Sequence, residues 1–230
     1  MCGRFALRYT DFIPERFHIS EPFTVPIPRY NIAPTQEILA IISQNNIRKA
    51  VTMTWGITAA WQKHPIINAR SENMEQKPIF AQALRANRCV VPCDGYYEWK
   101  REGKQRIPYF IRLRSDTLFG VAGIFSTETN KTGQIRYQCA LLTTAANALL
   151  EPIHSRMDVI LTPQQEDIWL LGSSVENIFY GNLQQPYPSE EMEIYPVSDR
   201  VNSVRNDDPE LPIKLILPHT DYPEQQTLFS

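Results

Sequence analysis

The sequence has 230 residues, of which 23 are Lys or Arg and 25 are Asp or Glu, so its formal net charge at neutral pH is −2. This balance argues against a protein whose whole surface binds nucleic acid or an anionic membrane, although a local basic patch is compatible with it. The hydrophobic content of 43% is enough to bury a core, which excludes a wholly disordered chain. The 18 prolines against 9 glycines favour extended segments and turns over long helices.

The first third of the chain predicts two helices and two strands. A capping threonine begins a helix over residues 10–18, and four prolines keep residues 19–36 extended or looped. Two β-branched runs, at 37–43 and 49–57, predict strands on either side of a polar turn. A proline that can open a helix begins an amphipathic segment at 78–87.

The middle of the chain predicts a β-meander. Its five candidate strands alternate with polar turns and cover residues 89–91, 96–100, 108–113, 118–124 and 137–143. A short helix is expected at 145–150 and another strand at 159–161. Thr162-Pro163-Gln164-Gln165 has the capping box and the first-turn proline of a helix start, and a further helix is expected to begin at Ser173.

Strands therefore dominate the middle of the chain, and helices lie at its edges. We predict a single α+β domain around a curved, barrel-like, mostly antiparallel sheet with peripheral helices. This domain is expected to cover residues 1–217, followed by a polar C-terminal tail at 218–230. No stretch approaches the ~20 apolar residues of a membrane span, and the N-terminus lacks a signal-peptide layout. A cytoplasmic protein without a membrane partner is expected, or a nuclear one in a cell with a nucleus.

The four cysteines are interpreted as free thiols, because a cytosolic chain of this length does not need disulfides. They are Cys2, Cys89, Cys93 and Cys139. Cys89 and Cys93 form a poor zinc motif, because no second pair of cysteines or histidines lies at finger-like spacing. No metal and no organic cofactor are expected.

Cys2 has a chemistry that the other thiols lack, once the initiator methionine is removed ahead of this small residue. An aldehyde forms a Schiff base with the exposed α-amine, and the thiol then closes a five-membered thiazolidine ring on the same carbon. An α-amine pKa of about 7.7–8.0 leaves a useful unprotonated fraction at neutral pH, which the lysine side chain lacks. The alternative is that Cys2 is simply the second residue of an ordinary cytosolic protein.

A run of two tyrosines, a glutamate and a tryptophan offers a candidate general acid or base. Strand alternation puts Tyr96, Glu98 and Lys100 on one face. Tyr97 and Trp99 then lie on the other face. A carboxylate flanked by aromatic rings suits proton transfer. The alternative, which spacing alone favours, is a solvent-facing strand on which Glu98 and Lys100 form a surface charge pair.

Two further segments combine polar and cationic residues. His154 beside Arg156 suits proton transfer next to an anion such as phosphate, although a loop histidine is the commoner case. Asn68 and Arg70 alternate onto one face with the glutamate that follows them. An aromatic ring such as Trp61 near a phosphate-binding arginine suits a platform for single-stranded nucleic acid. The alternative for Trp61 is a place in the core.

The order of these motifs along the chain is more specific than any one of them. The motifs are MCGRF at 1–5, YNIAPT at 30–35, WG at 55–56, INARSE at 67–72, RCVVPCDGYYEW at 88–99, AGI at 122–124, TTAAN at 143–147, IHSRM at 153–157, VS at 197–198 and VN at 201–202. In this order they resemble the SOS response-associated peptidase (SRAP) family, the abasic-site processing proteins. The resemblance covers about residues 2–211.

The resemblance implies a single α+β domain that binds single-stranded DNA containing an abasic site. Cys2 would form a thiazolidine crosslink with the ring-opened sugar and so shield the lesion from strand cleavage. Asn68 would hold the opened sugar through hydrogen bonds. Glu98 would shuttle protons during ring opening and imine formation, and His154 would assist Schiff-base chemistry and crosslink reversal. A monomer is expected.

The resemblance also implies a set of DNA contacts. Arg4, Arg70 and Arg156 lie in the motifs that meet phosphate, and Trp61 is a base-stacking partner. One position departs from the family pattern, because Asp158 stands where proline is usual. A carboxylate beside a DNA-facing loop is expected to repel phosphate or to soften the loop.

Two other functions remain open at this point. The first is a thiol peptidase that clips its own Met1 or acts on other proteins. Cys2, His154 and Asn68 would then serve as nucleophile, base and oxyanion-hole donor. The second is a reader of single-stranded DNA that forms no covalent bond.

Overall fold

The computed structural model describes residues 3–59, 62–74, 76, 78–129, 132–171, 183 and 185–215. Within these residues the strands are β1 Phe5–Leu7, β2 Arg29–Ile32, β3 Glu37–Gln44, β4 Ile47–Trp55, β5 Asn68–Arg70, β6 Arg88–Cys93, β7 Gly95–Glu102, β8 Gln105–Leu113, β9 Phe119–Thr129, β10 Ile135–Ala145, β11 Arg156–Asp158, β12 Ile160–Leu161 and β13 Met192–Pro196. The α-helices are α1 Ile13–Arg16, α2 Pro78–Ala86 and α3 Pro163–Leu171. The 3₁₀ turns are Thr10–Phe12, Ser71–Asn73, Ser189–Glu191 and Asp199–Asn202.

Five strands close into a barrel in the order β10, β4, β3, β6 and β9, because β9 pairs again with β10. A closed ring with an odd number of strands cannot be antiparallel throughout. The β10–β4 pair is the parallel one, and the other four pairs are antiparallel. The predicted α+β class and its barrel-like, mostly antiparallel sheet are therefore confirmed.

A second sheet has the order β13, β8, β7, β1 and β2. Its strand β7 buries alternate residues in two different clusters: Tyr96 packs in the large core, and Tyr97 packs with Phe110 in a smaller one. The ring of Phe5 on β1 meets the ring of Trp55 on β4 edge-on at 5.3 Å. This contact joins the second sheet to the barrel, so the N-terminal strand is fixed against the core.

The strands β6 to β10 were predicted in the correct places, but the meander that was to connect them is wrong. β6 belongs to the barrel and pairs with β9, whereas β7 and β8 form a hairpin in the second sheet. The chain changes sheets at Asp94, which is fully buried. The Asp94 carboxylate accepts hydrogen bonds from the backbone N–H groups of Arg8 and Tyr9 and, at 2.6 Å, from Nε of Arg8. This buried anion fixes the corner between the two sheets.

Replacing Asp94 by alanine should lower the free energy of unfolding by about 3 kcal/mol or more, because two backbone N–H groups lose their acceptor and Arg8 keeps only Asp116 as an ion-pair partner. Urea unfolding followed by circular dichroism measures this loss. The matched control is Asp208→Ala, which removes an exposed ion pair with Arg200 of 2.7 Å and should cost no more than about 1 kcal/mol. Equal losses in the two variants would contradict the role given to Asp94.

The local predictions outside the meander divide into three kinds. The strands flanking 44–47 are confirmed, and the left-handed Asn45 and Asn46 form the two-residue turn between them. The capping box at α3 is also confirmed, because Thr162 Oγ1 accepts from Gln165 N at 3.3 Å and Gln165 Oε1 accepts from Thr162 N at 2.9 Å. The helix at 145–150 is wrong: β10 runs on to Ala145, and turns follow it. The helix from Ser173 and the tail at 218–230 lie outside the described residues.

The three described cysteines are buried free thiols, as predicted, and Cys2 lies outside the described residues. Burial raises the pKa of Cys89 and of Cys93, and it raises the pKa of Cys139 to about 12. These thiols are therefore poor nucleophiles at neutral pH. No helix in the described ranges has the length and apolar character that crossing a lipid bilayer requires.

Candidate active site

The N-terminal strand β1 pairs with β7, and this pairing fixes the backbone two residues after Cys2. Phe5 pairs with Tyr96, and the carbonyl of Arg4 accepts a hydrogen bond from Tyr97 N at 2.9 Å. Gly3 is the first described residue, so the chain leaves the described structure next to Glu98 on β7. Trp61 also lies outside the described residues, and its base-stacking role stays a prediction.

The guanidinium of Arg4 donates hydrogen bonds to other groups of the protein. Its Nη1 donates to Asn31 Oδ1 and to the carbonyl of Val201, each at 2.8 Å. Trp99 Nε1 donates to Asn202 Oδ1 at 2.7 Å in the same region. Burial lowers the pKa of Arg4. The late sequence motif around residues 201–202 therefore packs against the N-terminal strand, and the phosphate contact of Arg4 stays a prediction.

Glu98 is a buried carboxylate on β7, with only 4% of its surface exposed. Strand alternation places it on the face of Tyr96, which belongs to the large core, whereas Tyr97 and Trp99 contribute to the smaller cluster. Lys100 pairs with Glu102 at 2.6 Å. The alternative of an exposed Glu98–Lys100 pair is therefore wrong, and the predicted faces of β7 are confirmed.

The other candidate residues flank the second half of β10. Along one edge of β10, the middle of the strand pairs with β4 and the part that follows pairs with β5. Asn68 therefore lies opposite Leu141, and Arg70 lies opposite Thr143. Along the other edge, the first part of β10 pairs with β9 and its end pairs with β11, which places Arg156 opposite Ala145. The backbone of Val159 bonds to both β10 and β9, so the segment of β11 and β12 separates these two strands. Two segments that are far apart in sequence thus meet at one end of the barrel.

Arg156 forms the central contact of this region, which we call the β5–β11 group: Asn68, Arg70, Glu72, Thr143, His154 and Arg156. Its Nη1 donates to Glu72 Oε1 at 2.5 Å, and its Nη2 donates to Glu72 Oε2 at 2.9 Å. Nη2 also donates to the Thr143 carbonyl at 2.6 Å and approaches Thr143 Oγ1 at 3.2 Å. Burial opposes ionisation of Glu72, but the hydrogen bonds from Arg156 outweigh it and lower the pKa of Glu72.

His154 is half-buried and is oriented by the backbone of Arg156. Its Nδ1 accepts a hydrogen bond from Arg156 N at 3.0 Å. Nδ1 also lies 3.1 Å from the carbonyl oxygen of Arg156, so both backbone groups of Arg156 contact the same ring atom. These two contacts hold one side of the imidazole ring against the backbone at the start of β11.

Asn68 and Arg70 differ in their surroundings although both lie on β5. Asn68 is half-buried, whereas Arg70 is exposed. Within the described ranges, the side chain of Arg70 makes no hydrogen bond and no ion pair. Arg70 is therefore the cation of the β5–β11 group that is most available to an anion from solution.

Asp158, which the sequence analysis placed beside a DNA-facing loop, is a buried residue. It is only 1% exposed and lies opposite Thr143 in the pairing of β10 with β11. The predicted effect of Asp158 on phosphate or on the loop stays a prediction.

The structure brings together Asn68, Arg70, His154 and Arg156, and it places Arg4 and Glu98 beside the N-terminal strand. The sequence analysis missed the bond between Glu72 and Arg156 and the contribution of Thr143. The alternation of Asn68, Arg70 and Glu72 was the signal that could have included the glutamate. The described residues contain no group of three or more His, Cys, Asp or Glu side chains that could hold a metal ion.

A sequence profile described as SOS response associated peptidase (SRAP) matches residues 1–204. The chain belongs to the SRAP family. It is 40% identical over 221 residues to the abasic site processing protein YoqW of Bacillus subtilis (strain 168), covering 92% of this chain and 98% of that protein. The recognition from sequence motifs is therefore confirmed.

More distant SRAP relatives have similar names. The chain is 29% identical to the abasic site processing protein YedK of Escherichia coli (strain K12), covering 92% of this chain and 98% of that protein. It is 31% identical to the abasic site processing protein HMCES of Gallus gallus, covering 83% of this chain and 68% of that protein. A crystal structure of a protein from Bacteroides thetaiotaomicron has the same fold, with a TM-score of 0.81 at 24% identity over 94% of this chain and 100% of that one.

Proposed function

We propose that this SRAP protein processes abasic sites in single-stranded DNA and that it does so by forming a covalent bond through Cys2. The observation that carries the proposal is the buried Glu98 carboxylate beside the N-terminal strand, in a chain whose relatives are named abasic site processing proteins. A fully extended chain spans at most about 3.3–3.6 Å per residue, so Cys2 lies within about 7 Å of the Arg4 backbone that is bonded to β7. The N-terminal amine is therefore within covalent reach of β7, the strand that carries Glu98.

The proposed reaction uses the two nucleophiles of Cys2 in turn. After removal of Met1, the α-amine attacks the C1′ aldehyde of the ring-opened abasic sugar, and the carbinolamine loses one water to give an imine. The thiol then adds to the imine carbon, the thiol proton passes to the nitrogen, and a thiazolidine ring closes. The net change is one C–N bond and one C–S bond formed and one water released.

Three side chains are assigned to this sequence of steps. Glu98 takes the proton of the incoming amine as a general base and then passes it to the departing hydroxyl as a general acid. Asn68 holds the opened sugar through hydrogen bonds of its amide. His154 assists Schiff-base chemistry and the reversal of the crosslink. Each of these roles requires a side chain that can donate or accept a hydrogen bond or a proton.

Arg70 is the first of the proposed DNA contacts, because it is exposed and its guanidinium is available. Arg4 and Arg156 are proposed as further phosphate contacts, and Trp61 as a base-stacking partner. Arg4 and Arg156 already donate to groups within the protein, so each contacts phosphate only by sharing or leaving those acceptors. A small, local set of cationic contacts agrees with a net charge of −2 for the whole chain.

Replacing Arg70 by alanine should weaken binding to single-stranded DNA and reduce its salt dependence. One lost phosphate contact lowers the slope of log K against log salt by about 0.7 for a single strand. Fluorescence anisotropy with an unmodified oligonucleotide at several salt concentrations measures this slope. Lys63→Ala is the control for the loss of one exposed positive charge outside the β5–β11 group, and it should leave the slope near that of the wild type. An unchanged slope in Arg70→Ala would show that Arg70 does not contact the DNA backbone.

A denaturing gel tests the covalent step itself. The protein is mixed with two oligonucleotides that differ only in one position, an abasic site in one and thymidine in the other. A band of reduced mobility that survives denaturation should form with the abasic strand alone. A non-covalent DNA reader gives no such band with either strand. A chain with one extra residue left ahead of Cys2 should also give none, because its amine is no longer on the cysteine.

The peptidase alternative concerns Met1 and other proteins. Removal of Met1 by the chain itself would need Cys2, His154 and Asn68 to act as nucleophile, base and oxyanion-hole donor. His154 and Asn68 both belong to the β5–β11 group, which is why this second function is retained. The discriminating variant is Cys2→Ala: under the peptidase alternative it keeps Met1, and under host processing it loses Met1.

A further inference from the structure

The ion pair of Glu72 and Arg156 links the two halves of the β5–β11 group. Glu72 lies in the 3₁₀ turn that follows β5, whereas Arg156 begins β11, and 84 residues separate them in sequence. Between them lies β10, whose Thr143 accepts from the same guanidinium. The pair therefore spans β10 and ties the segment of Asn68 to the segment of His154.

Arg156 also holds the ring of His154 through its own backbone. The Arg156 N–H donates to His154 Nδ1, while the Arg156 side chain is fixed by Glu72. A displacement of the guanidinium that moves the start of β11 also moves the donor that orients the ring. The position of His154 thus depends on a carboxylate that it does not touch.

The same carboxylate neutralises the charge of Arg156. Glu72 binds the guanidinium with two oxygens, the geometry in which carboxylates compete best with phosphate for arginine. Only 14% of the Arg156 side chain is exposed, so the pair is partly withdrawn from water. A DNA phosphate that approaches this region meets the exposed Arg70 as a cation and the Glu72–Arg156 pair as a neutral unit.

We propose that Glu72 is a positioning residue that fixes His154 through Arg156 and withholds the Arg156 charge from DNA. The proposal rests on the function given above, because it concerns the same site. The proposal predicts that one substitution has two opposite effects. Removing the charge of Glu72 must strengthen DNA binding and at the same time slow the reaction on bound DNA.

The first measurement is the salt dependence of binding to an unmodified single strand, with which no covalent step occurs. Glu72→Gln keeps the shape of the side chain but leaves Arg156 with an uncompensated charge. The slope of log K against log salt should become steeper by about 0.7, and the affinity should rise at low salt. Glu15→Gln is the matched control, because it makes the same change of net charge at an exposed position on α1. It should leave the slope unchanged.

The second measurement is the rate of adduct formation at saturating abasic DNA, which removes differences in affinity. Glu72→Gln should slow this rate about tenfold or more, because a displacement of about 1 Å in a reacting group can cost about 100-fold. Glu72→Asp, which keeps the charge, should keep the wild-type salt slope and lose less of the rate. Thermal midpoints of all variants establish that each one is folded.

A double-mutant cycle decides whether Glu72 acts through Arg156. In an Arg156→Ala background, the further change Glu72→Gln should produce no additional slowing. The proposal is overturned if Glu72→Gln leaves either the salt slope or the saturated rate at its wild-type value, or if the two substitutions slow the reaction additively. If the wild-type chain forms no adduct, the proposed function fails and the positioning role fails with it. Adduct formation that is identical in wild type and Glu72→Gln overturns the positioning role alone.

Discussion

Replacing Cys2 by alanine should abolish the covalent adduct with abasic DNA completely while leaving the affinity for unmodified single-stranded DNA within about twofold of the wild type. The α-amine of alanine can still form an imine, but without the thiol no thiazolidine ring closes, and the imine hydrolyses on denaturation. The loss is therefore total in a denaturing gel that contains no reductant. Adding borohydride should trap the imine in Cys2→Ala and restore a band.

The control for this prediction is a variant that removes a different, buried thiol. Cys139→Ala should keep the adduct, because the thiol of Cys139 is inside the barrel and burial raises its pKa to about 12. Cys139→Ala should lower the stability of the fold through lost core packing, and thermal unfolding measures that loss separately. A wild-type level of stable adduct in Cys2→Ala would exclude the thiazolidine and require another nucleophile.

Replacing Glu98 by glutamine should slow adduct formation at neutral pH by about 100-fold or more, within the range that a positioned general acid or base contributes. The amide has nearly the same shape and hydrogen-bonding reach, but it cannot take up or release the proton. The affinity for unmodified DNA should change little, because Glu98 is buried and the role proposed for it is in the reaction. Single-turnover kinetics with excess protein measure the rate, and anisotropy measures the affinity.

The matched control lies on the same strand. Glu102 is exposed at the end of β7 and pairs with Lys100 at 2.6 Å, so Glu102→Gln removes the same charge from a position outside the site. It should react at the wild-type rate. Equal rates in wild type and Glu98→Gln would remove Glu98 from the proposed mechanism and leave its burial as a feature of the fold.

The elements that the sequence predicted well are those set by neighbouring residues. The start of α3 follows from Thr162, Pro163 and Gln165, which satisfy the free N–H groups of the first turn among themselves. The faces of β7 follow from strand alternation, which places Glu98 inward with Tyr96. Both signals act within a few residues, so no knowledge of the rest of the fold is required.

Other features depend on partners that are distant in sequence. The change of sheet at Asp94 depends on Arg8 and Tyr9, and the predicted meander missed it because adjacent strands usually pair. The burial of Asp158 follows from the way β11 and β12 separate β9 from β10. In the candidate site, the residue types were predicted from motifs, but the bond between Glu72 and Arg156 became evident only when β5 and β11 were placed on opposite edges of β10.

Intact mass spectrometry of the untagged protein, alone and after mixing with an abasic single-stranded oligonucleotide, tests the central claim most directly. The account predicts that the protein alone lacks Met1 and that the mixture contains a species heavier by the mass of the oligonucleotide minus one water. This species should survive denaturation without a reductant, and digestion should place the added mass on the peptide that begins with Cys2. A processed chain with no adduct, or an adduct on any other peptide, would contradict the account.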